Sequence, residues 1–212
     1  MKAVRLPIAL AAAMLATSVA LSAGAAEGGP AASGLEGGAR TGYMLPFGKA
    51  LNSVKLGDVF AGAVPIILDF GYRIDPRLYV GGFAQYAFGR ANTASIGTDS
   101  STSTYRFGAL GVYHLSYGEQ WDPWVGGAVA YEAANVTDHT AIAGTIATTY
   151  SGFQLEGLFG VDYRATSRLA VGPFAGLAVG EYVACGSDIG CEIRQKQWHG
   201  WLTLGARVSF RF

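Results

Sequence analysis

Trp198-His199-Gly200-Trp201-Leu202-Thr203-Leu204-Gly205-Ala206-Arg207-Val208-Ser209-Phe210-Arg211-Phe212 alternates without a break. Trp198, Gly200, Leu202, Leu204, Ala206, Val208, Phe210 and Phe212 occupy every second position, and His199, Trp201, Thr203, Gly205, Arg207, Ser209 and Arg211 lie between them. A strand sends successive side chains to opposite faces, so one face here is wholly apolar and the other holds both arginines, a histidine and hydroxyls. A barrel wall with hydrocarbon outside and a polar interior requires this pattern. A soluble ligand-binding barrel would reverse it, with apolar residues inside and charges outside.

The same period recurs seven more times upstream. Leu35, Gly37, Ala39, Thr41, Tyr43, Leu45 and Phe47 oppose Glu36, Gly38, Arg40, Gly42 and Met44. Val64, Ile66, Leu68, Phe70, Tyr72 and Ile74 oppose Pro65, Ile67, Asp69, Gly71 and Arg73, and Asp75-Pro76-Arg77 reads as a tight turn. Further segments follow the same rule from Leu78 to Phe88, Tyr105 to Leu115, Val125 to Glu132, Phe153 to Arg164 and Leu169 to about Ala184. The expected fold class is all-β: an eight-stranded antiparallel up-and-down transmembrane β-barrel. Connections after the second, fourth and sixth strands are short, and the others are long. The long connections, Lys49–Gly62, Asn92–Ser103, Thr137–Ala147 and Cys185–Lys196, are rich in residues that favour loops.

The N-terminus carries Lys2 and Arg5, an Ala-rich apolar run from Leu6 to Leu21, and small residues at Ser22-Ala23-Gly24-Ala25-Ala26. That order is expected of a cleaved secretory signal peptide over residues 1–26, cut after Ala25 or Ala26. An uncleaved anchor is the alternative, but the run is short and interrupted by Pro7, Thr17 and Ser18. Residues 27–34 read as a flexible lead-in and 35–212 as the barrel. The chain is 50% hydrophobic and only 14% charged, yet no segment after the leader offers about 18 consecutive apolar residues. A closed barrel then remains as the spanning structure. The 31 glycines argue against a helical protein, and a formal charge of zero argues against a nucleic-acid partner.

Cys185 and Cys191 bracket a five-residue segment. In a secreted chain this close pair is expected to form a loop disulfide; redox or metal chemistry is the alternative, with no further Cys or His ligand nearby.

With the apolar faces outward, the inward face collects Glu36, Asp69, Glu132, Glu156 and Asp162 with Arg40, Arg73, Arg106, Arg164, Arg207 and Arg211. Near balance predicts an interlocked ion-pair network in the lumen, because unpaired buried charge is costly. Arginine suits it, since its fork binds carboxylates bidentately. Phe83, Leu110, Leu158, Phe174 and Trp201 also face inward, and eight strands enclose a lumen only wide enough for side chains. The expectation is a plugged lumen, with a narrow pore as the alternative. Outward aromatics near strand ends, Tyr43, Phe47, Tyr72, Tyr86, Phe88, Tyr105, Tyr113, Tyr163, Trp198, Phe210 and Phe212, fit membrane-interface girdles.

These features together resemble the small eight-stranded bacterial outer-membrane barrels of the OmpA-transmembrane, OmpX and OmpW kind. The resemblance implies residence in the outer membrane with both termini periplasmic. It implies outer-membrane lipids and lipopolysaccharide as surroundings, and Phe210 and Phe212 as part of the signal read by the barrel-assembly machinery. No peptidoglycan-binding domain is expected after the barrel. It leaves three functions: a rigid scaffold displaying loops to an unknown extracellular ligand, a narrow channel or lateral conduit for small hydrophobic solutes, and a lipid A-modifying enzyme. Pro46, Pro65 and Pro173 bear on the second, since each removes a ladder donor.

For the third, His114-Leu115-Ser116 resembles the His-x-Ser spacing of lipid A deacylases, but Tyr117 stands where Asn usually follows. His114 is also expected to face inward, away from lipid. His139 in a loop and His199 have no evident nucleophile, and no metal spacing, phosphate loop or nucleotide fingerprint is present. A non-enzyme without a cofactor is expected. Asn135-Val136-Thr137 matches a glycosylation sequon that a bacterial membrane setting makes incidental.

Overall fold

The structure is a computed structural model that describes residues 33–51, 54–91, 99–116, 119–140, 144–187, 190, 191, 193 and 196–212. The signal-peptide reading of 1–26 and nearly all of the lead-in lie outside the described residues. The elements are β1 (Gly34–Leu51), β2 (Val54–Lys55), α1 (Leu56–Val59), β3 (Phe60–Arg73), β4 (Leu78–Ala91), β5 (Asp99–His114), β6 (Trp121–Thr140), β7 (Gly144–Arg164), β8 (Leu169–Ser187) and β9 (Trp198–Arg211).

All pairings are antiparallel: β1 pairs with β2 and β3, each later strand pairs with the next, and β1 pairs with β9 to close the cylinder. Setting aside the two-residue β2, this is an eight-stranded up-and-down barrel. The closing ladder runs unbroken from Glu36↔Arg211 to Gly48↔His199. At one pair, Gly42↔Gly205, a Cβ on either residue would sit inside the opposite strand's backbone. The tight curvature of so small a barrel brings the inner faces of neighbouring strands together there, and glycine relieves it.

The two faces differ as the alternation requires. Leu68 is 59% exposed, Phe107 58% and Leu155 61%, while Glu36, Arg73 and Arg106 are each 1% exposed. Such a molecule is inside-out relative to a soluble protein. Each outward Leu or Phe would lose about 1.5–3 kcal/mol of burial in water, a loss that hydrocarbon removes.

At one end, which we term the near end, the connections are short. Ile74 donates to the Leu78 carbonyl, and the Asp75 carboxylate accepts from the backbone N–H groups of Arg77 and Leu78 at 2.7 and 2.9 Å. The Thr166 hydroxyl plays the same part for Arg168 and Leu169. The backbone N–H of Phe212 donates to the Leu35 carbonyl, which fastens the closing seam at this end.

The far end departs from the sequence expectation. Within Thr137–Ala147, residues 137–140 and 144–147 are strand rather than loop: β6 and β7 form a ladder that continues to Thr140↔Gly144. Likewise β5 begins at Asp99 and β8 continues to Ser187. The Ser and Thr that suggest loops are instead cross-strand partners, as in Ser103↔Asn135↔Thr149, where Thr149 donates to the Asn135 side chain at 2.7 Å. β-branched and hydroxyl residues serve a solvated sheet as well as they serve a loop. His139 therefore belongs to β6.

The first connection also differs. From Met44 to Lys49, β1 advances five residues, while the facing chain takes eight from Lys55 to Ala63. The surplus is α1, which turns Leu56 and Phe60 into the barrel mouth, both at most 1% exposed. Gly62, at φ 150°, lets the Tyr43 ring lie across the bulge that follows.

The outward row of β3 yields a direct test. Leu68→Arg, at its middle, is expected to destabilise the barrel by about 2–4 kcal/mol in lipid vesicles. Leu68→Ile should be nearly neutral in the same urea-unfolding equilibrium.

Candidate functional site: a charged lumen and its capped mouth

The inward positions build three layers. In the near layer, Glu36 receives a two-pronged contact from Arg73, at 2.8 Å through Nε and 3.0 Å through Nη2. Arg211 adds a third donor at 3.1 Å, and Arg207 stands 3.8 Å away. Asp122 accepts from Arg164 at 2.7 Å and from the Nδ1 of His114 at 3.0 Å. The Nε2 of His114 lies 3.0 Å from an Arg73 nitrogen. Because arginine can only donate, this Nε2 accepts, and the imidazole is neutral with its proton on Nδ1. Asp162 accepts from the Trp124 indole at 3.0 Å, and the Arg207 guanidinium lies over the same indole, 4.5 Å from a ring centroid and 3.6 Å from Asp162.

The middle layer mixes ion pairs with apolar bulk. Arg40 meets Asp69 at 3.2 Å, with its guanidinium carbon 5.8 Å from the Phe83 centroid and 5.7 Å from that of Phe174. Arg106 donates to Glu156 at 2.8 Å and to Gln85 at 3.2 Å. Ile67, Leu110 and Leu158 fill the space around them.

The far layer centres on Glu132, fully buried on β6. It accepts from the Trp201 indole at 2.9 Å, from His199 Nε2 at 3.0 Å, and from the Gln154 amide. His199 stacks on Tyr182, with centroids 3.8 Å apart and planes 13° from parallel. Above it, Met44, Leu56, Phe60 and Trp201 form an apolar lid, with Phe60 set edge-on to Trp201 at 5.3 Å. Ile193, beyond Cys191, packs against the same cluster, and the disulfide joins Cys185 to Cys191 with Cα atoms 5.7 Å apart.

All eleven lumen residues named from the sequence face inward, and each has an oppositely charged or hydrogen-bonding partner. Asp122 and Trp124 fall outside the set named from the sequence, where the fifth strand is expected to start at Val125 rather than at Trp121. Continuing the even-numbered inward parity of β6 back to Trp121 finds both. His114 and His199 each bridge to a carboxylate, a part in the network that strand parity alone does not reveal.

The arrangement bears on chemistry. Among the described residues, six inward acids (Glu36, Asp69, Asp122, Glu132, Glu156, Asp162) are matched by six inward arginines (Arg40, Arg73, Arg106, Arg164, Arg207, Arg211), so these groups balance in charge. Both ring nitrogens of His114 are engaged, by Asp122 and Arg73, which leaves neither free to activate Ser116. Among the described residues no group of three or more His, Cys, Asp or Glu could hold a metal ion.

No protein-family model and no curated protein sequence matches the chain. Solved structures do. A major outer membrane protein from Thermus thermophilus aligns at TM-score 0.51 and 11% identity, over 83% of this chain and 99% of that one. Neisserial surface protein A aligns at TM-score 0.48 and 15% identity, over 85% and 97%. The outer membrane protein OprG from Pseudomonas aeruginosa aligns at 0.48 and 11%, over 87% and 100%. At such identities the Thermus likeness is one of fold.

The middle layer can be tested by double substitution. Arg106→Met strands the Glu156 carboxylate in a buried site and should cost about 3–5 kcal/mol. Arg106→Met combined with Glu156→Leu should recover most of that loss, as read by urea unfolding in vesicles. Additive losses would show that the two side chains do not act as a pair.

Proposed function

We propose that this protein is a non-catalytic barrel of the bacterial outer membrane, closed to solutes, that presents the far ends of β5–β8 and the adjoining loops outside the cell. The observation that carries this reading is the filled lumen: the near ion-pair layer, the Arg40–Phe83–Phe174 layer and the Leu56–Phe60–Trp201 lid each bury side chains across the cylinder. The apolar outward wall supports a lipid setting, and the strand lengths support the orientation. β6, β7 and β8 have 20, 21 and 19 residues against 14 in β3, β4 and β9, so one side of the far end rises well above the rest. That raised sheet is rich in Ser and Thr, as suits a watery surface. Short turns then fall in the periplasm, together with the end of β9.

In this reading lipopolysaccharide and other outer-membrane lipids surround the wall, and the assembly machinery recognises Phe210 and Phe212, whose rings stand edge-on at 5.3 Å. A ligand would meet the raised sheet and the disulfide-tied segment, because binding residues commonly sit on such exposed connections. A lateral conduit has less support. One ladder continues through each proline singled out for it, in Pro46↔Trp201, Pro65↔Ala87 and Pro173↔Ala206, while on the other side the β1–β3 pairing skips Pro65 and the β7–β8 pairing skips Pro173, gaps that open onto the filled lumen.

Single-channel recording in a planar bilayer tests the closed lumen. The refolded wild-type barrel should be silent, and Leu56→Ser with Phe60→Ser should stay silent, because the middle layer still blocks the path. Discrete, reproducible steps from wild-type protein would overturn the proposal. Steps only from the double variant would make α1 a gate.

A further inference from the structure

The outward wall is not uniformly smooth. Across β5–β8 it holds two hollows of about 630 and 710 Å³, which share Ala109, Val129, Leu155 and Val179 and so form one trough. Along β8 the trough runs from Leu177 to Val183, about 20 Å at strand rise.

The floor of the larger hollow includes three outward positions that lack side chains for no reason internal to the barrel. A Cβ at Gly157 would meet no atom within 4 Å, and at Gly127 and Gly111 the nearest atoms would lie 3.8 and 3.9 Å away. The inward pair Gly42 and Gly205 is different, because side chains there would strike backbone. Folding demands the inward pair and is indifferent to the outward glycines. What these leave open is space against the wall.

The upper end of the trough holds a charge. Glu181 is the sole acid at any outward position of β6, β7, β8 and β9. Its cross-strand partners are Phe153 on one side and Trp198 on the other, so the carboxylate stands between two outward aromatic residues at the start of β9. It has no ion pair or hydrogen bond with any described residue. A carboxylate beside lipid is expensive unless a cation meets it. Aromatic faces flanking that position favour a cation as well.

We propose that this trough is a binding site for an amphiphile with a protonated primary amine and a hydrocarbon tail. The ammonium group sits against Glu181 with Trp198 and Phe153 beside it. The tail lies down the groove over Gly127 and Gly157, walled by Val129, Leu155 and Leu177. Charge complementarity selects the head, and the missing side chains accommodate the tail. The site rests on the reading of the outward wall as lipid-facing.

The test uses the full barrel in phosphatidylcholine nanodiscs, with dodecylamine and dodecanol as probes of equal tail and different charge. Amide resonances of Gly127 and Gly157 and the Trp198 indole resonance report occupancy. Dodecylamine should shift all three saturably, at about fivefold lower concentration than dodecanol, the size expected of one ion pair with an aromatic contribution. Glu181→Gln should equalise the two probes, and Gly157→Leu should abolish the response at Gly127 without altering the barrel's heat-modifiable gel mobility. Equal half-saturation in wild type, or an amine preference that survives Glu181→Gln, overturns the proposal. Shifts spread evenly over the outward wall overturn it too, because they report partitioning alone. Failure of the protein to enter nanodiscs would instead strike at the lipid-facing reading itself.

Discussion

Closure of β1 onto β9 with only eight long strands is the constraint from which the other features follow. It fixes a lumen just wide enough for side chains, so an inward residue has nowhere to go but against another inward residue. Bulky inward groups such as Trp124, Trp201 and Arg73 are therefore almost completely buried, and they exclude the water that would otherwise solvate the charges among them. Where strands curve most closely, the chain gives up side chains altogether, as at Gly42 and Gly205.

An enclosed charge is weak evidence for stability, because apolar groups of similar size often do as well. What the lumen charges do here is tie strands together across the cylinder. Glu36 on β1 receives arginines from β3 and β9; Asp122 on β6 receives partners from β5 and β7; Glu132 on β6 receives donors from β7 and β9. Slipping any one of these strands by a residue would turn its inward charges toward hydrocarbon and its outward apolar row into the lumen. Polar lumen residues thus penalise wrong registers from both faces at once. They also break the hydrophobic run, so that no described segment forms a helix long and apolar enough to cross a membrane.

That logic explains how much is legible in the sequence. Parity is a local property, so the faces of all eight long strands and the inward set of charges can be read from one strand at a time. Partners are not local. Arg106 lies directly across from Glu132 in the β5–β6 ladder, yet its guanidinium reaches one strand further to Glu156, because Glu132 is engaged by β7 and β9. Adjacency along a ladder does not settle which groups meet across a packed interior. The helical turn α1 is equally hidden: Leu56-Gly57-Asp58-Val59 has little helical propensity, and what holds it is the burial of Leu56. The far halves of β6 and β7 escape the pattern for another reason. Ser and Thr read as breakers in the sequence, where their pairing across strands makes them builders.

The disulfide acquires a reason in the same terms. β9 begins at Trp198, opposite Glu181, so among the described residues β8 above that level has β7 as its one strand neighbour. An exposed strand edge presents unpaired backbone groups to any other chain. Cys185 lies on this stretch of β8, and its bond to Cys191 turns the chain back within a separation of six residues. Ile193 is then delivered onto the cluster that holds Tyr182 and Trp201. One covalent link therefore shortens the excursion beside this edge and brings the β8–β9 connection onto the cluster that α1 enters between β1 and β3. The lid thus draws on two connections distant in sequence, α1 through Leu56 and the disulfide-tied segment through Ile193.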